Sequence, residues 1–334
     1  MVLGSGRLLF VRRQFRSRLL EQGRMEFGKL SDLSQLGLID WRLPPEPDLN
    51  GEAPFDPRIK TTYFTGAPAW GHREWVGKIY PPKTNAKDFL YHYSRVFNCI
   101  ELNTTHYRIP TTEQTRKWTD QVPNGFKFCA KVLQSLSHSQ AGLTDKTLHQ
   151  QWFRFLDDLG EHAGPCFLQL PPGFSYQEKA TLFHFLQSWP SQHRLALEFR
   201  HPSWFLNGGL LPALQRYLMG KRIGTVITDV AGRRDVLHMT LSSDFTMVRF
   251  IGNNLHKTDF ERARHWIAQL KTWNQKGLPE AYFFLHEPDD LFMPEMATWF
   301  VQELNTSLGR MALQAIPEFT TEKPASELPL FEQS

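Results

Sequence analysis

Glu101 and Glu198 are the two carboxylates of this 334-residue chain best placed for acid–base or nucleophilic work, because each sits at the end of a short apolar run beside a cation or an amide. In Cys99-Ile-Glu101-Leu-Asn103, strand alternation puts Glu101 and Asn103 on one face. In Leu195-Ala-Leu-Glu198-Phe-Arg200, the same rule groups Glu198 and Arg200 with Ala196. Other apolar runs end at Lys131, Gln169, Asp229, Arg249 and His286. A lysine and two arginines close to the glutamates would lower their pKa and keep them ionised, which favours base, nucleophile or ligand roles over proton donation. Lys131, Arg200 and Arg249 form a cationic set suited to carboxylate, phosphate or a polyhydroxylated ligand. The competing reading is a salt-bridge lattice in which the glutamates consume these cations. His201 and His286 could join a glutamate around a divalent ion, but no metal-ligand spacing is present and no metal is assigned. Trp70 and Trp204 are candidates for stacking on a sugar or base, whereas Trp75 and Tyr80 are expected to pack their loop onto the fold.

For these groups to meet, the runs that carry them must be strands of one sheet. Eight candidates alternate with helical stretches: Thr61–Thr65, Cys99–Asn103, Phe126–Lys131, Cys166–Leu170, Leu195–Phe199, Gly224–Asp229, Met247–Phe250 and Ala281–His286. Helical spacing is plain where Leu148, Trp152, Phe155 and Leu159 recur at steps of three and four. After the sixth strand, 232–241 shows little helix. This alternation is that of a parallel α/β fold, and eight units match a (β/α)₈ TIM-type barrel, whose mouth lies at the C-terminal ends of its strands. Seven of the eight strands end in a polar or ionisable residue. An open doubly wound sheet is the alternative, but no Gly-x-Gly-x-x-Gly follows the first strand.

Outside the barrel, expected over 59–308, the chain changes character. Residues 1–24 hold six arginines and one acid, leaving the rest at −1 out of a net +4, so the body is a poor non-specific nucleic-acid binder. Residues 1–58 read as a basic, then Pro-rich, weakly ordered extension whose Arg-rich opening is a transit-like segment, a basic amphipathic surface segment or a mis-started leader, and 309–334 as a mobile tail. Three cysteines in apolar runs argue against a disulfide framework and for a reducing, cytoplasmic compartment. No apolar stretch is long enough to span a membrane. No cofactor signature is present, and the cofactor is unknown.

Trp70 with Trp75-Val-Gly-Lys-Ile-Tyr-Pro81, Phe97-Asn-Cys-Ile-Glu101-Leu-Asn-Thr-Thr-His-Tyr107, Gly125-Phe-Lys-Phe-Cys-Ala-Lys131, Leu168-Gln-Leu-Pro171, Glu198-Phe-Arg-His-Pro-Ser-Trp204 and Val248-Arg-Phe250 together resemble the YecE-like family. That is a bacterial domain-of-unknown-function family of TIM barrels, and the likeness covers about residues 60–305. It implies recurrent polar positions at Glu101, Asn103, Tyr107, Lys131, Gln169, Glu198, Arg200 and Arg249. The chain departs from the family at strand eight, where Leu285-His-Glu-Pro288 stands in place of an asparagine-rich end. Glu327-Leu-Pro-Leu-Phe331 is similar to the peptide by which bacterial replication and repair proteins dock on the sliding clamp.

Three functions follow. One is a hydrolase or isomerase of a sugar-like or anionic small molecule, with Glu101 and Glu198 as working carboxylates. In a glycosidase, their separation would distinguish retention from inversion. Another is a non-catalytic binder of an anionic metabolite. The last is a nucleic-acid-processing accessory protein, resting on the basic leader and the clamp-like tail.

Overall fold

Runs such as Gly224-Thr-Val-Ile-Thr-Asp229 and Phe245-Thr-Met-Val-Arg-Phe-Ile251 are too short and too rich in β-branched and aromatic residues for helices, and they form strands. The computed structural model describes residues 28, 30, 33–53, 55–138, 142–288, 290–317 and 319. Its eight parallel strands are β1 Thr62–Gly66, β2 Cys99–Leu102, β3 Lys127–Ala130, β4 Cys166–Gln169, β5 Leu195–Glu198, β6 Gly224–Asp229, β7 Phe245–Ile251 and β8 Glu280–His286. Helices α1 Phe89–Val96, α2 Thr112–Thr119, α3 Lys146–Leu159, α4 Lys179–Ser188, α5 Pro212–Lys221, α6 Lys257–Lys276 and α7 Met293–Leu308 fill most connections. Between β6 and β7 there is only a 3₁₀ segment, Ala231–Val236, as the weak helical pattern there implied. No described helix is long and apolar enough to cross a membrane.

Six strands share one ladder in the order β1-β8-β7-β6-β5-β4, while β2 and β3 pair separately. Two seams separate these groups, and each is crossed by individual hydrogen bonds. At β3/β4, Gly164 N donates to Phe128 O at 3.0 Å and Val132 N to Phe167 O at 2.9 Å. At β1/β2, Glu101 N donates to Ala67 O, and the Asn98 side chain replaces missing ladder bonds. Its Oδ1 accepts from Thr65 N and its Nδ2 donates to Tyr63 O, both at 2.8 Å. Gly66 lets the chains approach, since a Cβ there would lie 2.1 Å from Cys99 O. Strand order therefore follows chain order and the eighth strand returns to the first, giving the (β/α)₈ type of barrel.

Alternation then sorts the side chains. Phe64, Cys99, Cys129, Phe167, Ala196, Val226, Phe245, Met247, Tyr282 and Phe284 point inward and make one buried cluster in the lower barrel. Their neighbours Ile100, Phe128, Leu168, Leu197, Ile227, Val248 and Phe283 point outward into a second, larger cluster with the helices. One further inward step along the strands reaches the polar layer. The three cysteines are free and buried.

The flanks differ from expectation. Residues 33–53 and 55–58 pack on the barrel rather than trailing as a weakly ordered extension, and the reason is specific hydrogen bonding. Buried Asn50 donates to Met239 O and accepts from Gln215 and Leu241 N. Pro44 and Pro47 rest on Gly208 and Gly209, in the turn and second strand of the Phe205–Leu206/Gly209–Leu210 hairpin. After α7, Asn305 Oδ1 accepts from Ala312 N and Leu313 N, and Leu313 and Ile316 are buried, so the first residues of the expected mobile tail are fixed. The Arg-rich 1–24 and the clamp-like 327–331 lie outside the described residues.

Replacing Asn98 by Ala leaves a buried donor and acceptor unpaired at the β1/β2 seam. It is expected to cost about 2–4 kcal/mol in urea-induced unfolding. A loss below about 0.5 kcal/mol, within the range of surface substitutions, would show that the seam does not depend on this side chain.

Candidate functional site

The inward positions above the apolar layer are Glu101 on β2, Lys131 just past β3, Gln169 on β4, Glu198 on β5, Arg200 beyond it, Thr228 on β6, Arg249 on β7 and His286 on β8. Parallel pairing staggers them around the barrel: Gln169 is opposite Glu198 and Thr228 opposite Arg249, while Glu101 is opposite Cys129, Lys131 opposite Phe167 and Arg249 opposite Phe284. The polar ends identified in the sequence thus converge on one barrel mouth, with Asp229 the exception.

Arg249 is the centre. Its Nε and Nη2 each donate to Glu101 at 2.9 Å, a two-pronged pairing, and its Nη1 reaches Glu198 Oε2 at 3.2 Å. Asn103 Nδ2 donates to Glu101 Oε1 at 2.8 Å, and His286 Nε2 to Glu101 Oε2 at 3.0 Å. Glu198 accepts from Gln169 Nε2 and from Arg200 Nε, both at 2.8 Å. All four carboxylate oxygens therefore have two donors apiece once the longer 3.5 Å approach of Arg249 Nη1 to Glu198 Oε1 is included. A carboxylate can only accept, so His286 carries its proton on Nε2.

Both glutamates are buried, Glu101 to 0% exposure and Glu198 to 1%. Burial alone would raise their pKa, but the cations outweigh it. Arg249 and His286 hold Glu101 well below the usual range, and Arg200 and Arg249 bring Glu198 down to about 2. Ionised and saturated, neither group has a proton to donate.

Lys131 is treated differently by the fold. Its backbone is pinned, with N donating to Leu102 O and its carbonyl accepting from Thr105 Oγ1 at 2.7 Å. Its ammonium makes no hydrogen bond or ion pair among the described residues, because the carboxylate oxygens are already occupied. Burial, then the like charges of Arg249 and Arg200, pull its pKa down to about 8 against the pull of Glu198 and Glu101. Beside it stand His106 and His138, whose rings lie 5.2 Å apart. Both are lowered to about 4 by burial and by Lys131, so they are neutral at pH 7. The Nδ1 of His106 meets Val132 O at 2.9 Å, which fixes the proton there and leaves Nε2 as an acceptor. Neither histidine was singled out from the sequence. His106 lies inside the Phe97–Tyr107 motif, and that was the available signal.

Other candidates fall elsewhere. Asp229 has the parity of Ile227 and faces outward, where it pairs with Arg262 and Arg234 and accepts from Trp266 Nε1 at 2.7 Å. It braces β6 against α6, and counting alternation from Val226 would have excluded it from the mouth. Trp204 is fully buried, donates Nε1 to Phe174 O, and packs on Phe174, Tyr176 and Phe199. It therefore supports the loop and has no face for a ligand. Trp70 touches Trp118 edge-on and accepts on its carbonyl from Tyr80. His201 caps the Pro202–Trp204 turn through Ser203. Tyr107 is 78% exposed beside the mouth. Glu287, next to His286, is buried against Gly252, where any Cβ would collide with its carboxyl, and burial plus nearby Asp259 raise its pKa to about 8.

Arg249→Met would leave two carboxylates buried without their shared cation, at a cost of roughly 3–5 kcal/mol at pH 7. In the native protein the folded pKa of Glu198 lies below its unfolded value, so its stabilisation is present above about pH 4.5 and is lost as pH falls toward 2. The variant, lacking the cation, loses less on acidification. The stability gap between the two, measured by urea unfolding at pH 7 and pH 4, is expected to narrow at pH 4. A gap that widens would contradict the assignment.

Residues 64–321 match the family model described as a protein of unknown function, DUF72. Over 274 residues the chain is 31% identical to the UPF0759 protein YecE of Escherichia coli K12, covering 76% of this chain and 97% of that protein. It is 28% identical over 149 residues to the UPF0759 protein YunF of Bacillus subtilis, covering 42% and 52%. Two solved DUF72 family structures share the fold. One, from Thermotoga maritima, has a TM-score of 0.56 at 21% identity, covering 71% of this chain and 98% of that one. The other, from Enterococcus faecalis V583, has a TM-score of 0.58 at 16% identity, covering 73% and 98%. A charged barrel mouth on this scaffold, together with the match over most of the chain, places the protein in the DUF72 (YecE-like, UPF0759) family.

Proposed function

We propose that the barrel mouth receives a small anionic molecule, a phosphate or carboxylate, with Lys131 and Arg200 as its cations. The observation that carries this reading is the saturation of Glu101 and Glu198. With both carboxylates occupied, three cations (Arg249, Arg200, Lys131) face two anions, and Lys131 makes no hydrogen bond or ion pair among the described residues. A surplus positive charge in a concave, partly dry site favours an anion. Arg200 and Arg249 keep slight exposure at the rim, with side chains 14% and 10% accessible.

The alternative in which Glu101 and Glu198 do the chemistry of a hydrolase draws less support. An acid must hold a proton at working pH, and both groups are shifted the other way. Their role in this reading is to position Arg249 and Arg200.

Thermal-shift measurements at low salt compare inorganic phosphate and 3-phosphoglycerate with glycerol. The two anions are expected to raise the melting temperature and glycerol to leave it unchanged. Arg200→Ala should weaken phosphate binding roughly 10–100-fold, the loss of one charge-assisted contact. Equal shifts with glycerol, or phosphate binding untouched by Arg200→Ala, would remove the anion reading.

A further inference from the structure

An amine held at a strand end, inside the mouth, with no ion pair among the described residues is a poor structural element. A surface lysine is solvated and a buried one is normally paired. Lys131 is neither, and the arrangement around it keeps it so. Glu101 and Glu198 are closed off by Arg249, Arg200, Gln169, Asn103 and His286, while His106 and His138 are neutral and add no charge. Thr105 and Leu102 fix the backbone from which the side chain rises.

We propose that Lys131 Nζ is a nucleophile that condenses with the carbonyl carbon of an anionic aldehyde or ketone, the anion being held by Arg200. This rests on the anion-binding reading and narrows it to a carbonyl-bearing ligand. In the addition, the lone pair of the neutral amine forms the C–N bond. The carbonyl π pair moves to oxygen, and a proton passes from nitrogen to that oxygen, giving a carbinolamine. Loss of the hydroxyl with the remaining N–H proton as water then gives the imine. One amine and one carbonyl become one imine and one water, with no oxidant or reductant. The neutral amine is available near pH 7–8 because Arg249 and Arg200 stand close and burial removes water, whereas an ordinary lysine stays charged.

The test is reductive trapping of the full-length protein with sodium cyanoborohydride and glyoxylate, followed by peptide mass spectrometry. Lys131 is expected to be labelled at least tenfold faster than exposed Lys60, Lys87 and Lys117, with a rate that rises through about pH 8. Lys131→Arg, which keeps the charge, should lose this fast label while retaining a folded-state melting transition. Labelling of Lys131 no faster than the surface lysines overturns the proposal, including when phosphate still stabilises the protein and the anion reading survives. Conversely, acetaldehyde labelling Lys131 as fast as glyoxylate would retain the amine but overturn the anionic class of ligand.

Discussion

Arg249 lies between two carboxylates that come from opposite sides of the barrel, and most of the mouth is arranged by that contact. A guanidinium has donors enough to serve Glu101 in a fork and still reach Glu198, which a lysine could not do. Removing one partner would leave a buried charge unpaired, so the three residues are mutually required. Around them Asn103, His286, Gln169 and Arg200 supply the remaining donors. The consequence that matters for chemistry is negative: the carboxylates have no capacity left for Lys131.

The scaffold below makes this geometry repeatable. Alternation in eight parallel strands stacks an apolar layer of aromatic, small and sulfur-bearing side chains under the polar one. That layer closes the barrel beneath the charges, and burial then sharpens the interactions above it. Two seams interrupt the ladder, yet Asn98, Gly66 and Gly164 keep the neighbouring strands in close approach there. One large connection is simplified, since the link from β6 to β7 is a 3₁₀ segment covered in part by the N-terminal stretch around Trp41, over whose ring the guanidiniums of Arg234 and Arg262 lie.

Much of this was legible in the sequence, for physical reasons that differ by residue. The strands were visible as short β-rich runs, and their polar ends marked a mouth because a barrel brings strand ends together. Glu101, Gln169, Glu198, Arg200 and Arg249 could be named from alternation alone. Asp229 ends its strand like the mouth residues but has the parity of outward-facing Ile227, and the Arg262 and Trp266 that receive it lie far along the chain. Trp204 looked like a ligand platform because an exposed and a buried tryptophan have the same letter. The packing of 33–53 on the barrel was hidden because it depends on Asn50 meeting residues 239 and 241, a long-range contact that leaves no periodic trace. The division of labour between saturated glutamates and an unpartnered lysine likewise needs coordinates.

Glu101 and Glu198 are ionised supports rather than proton carriers. The direct measurement is a ¹³C NMR titration of side-chain carboxyl-labelled glutamates, with the two resonances assigned through Glu101→Gln and Glu198→Gln. Both are predicted to stay ionised well below the value of about 4.3 for a free glutamate, Glu198 titrating at about 2. Either one titrating above that free value would contradict the account and return a proton donor to the barrel mouth.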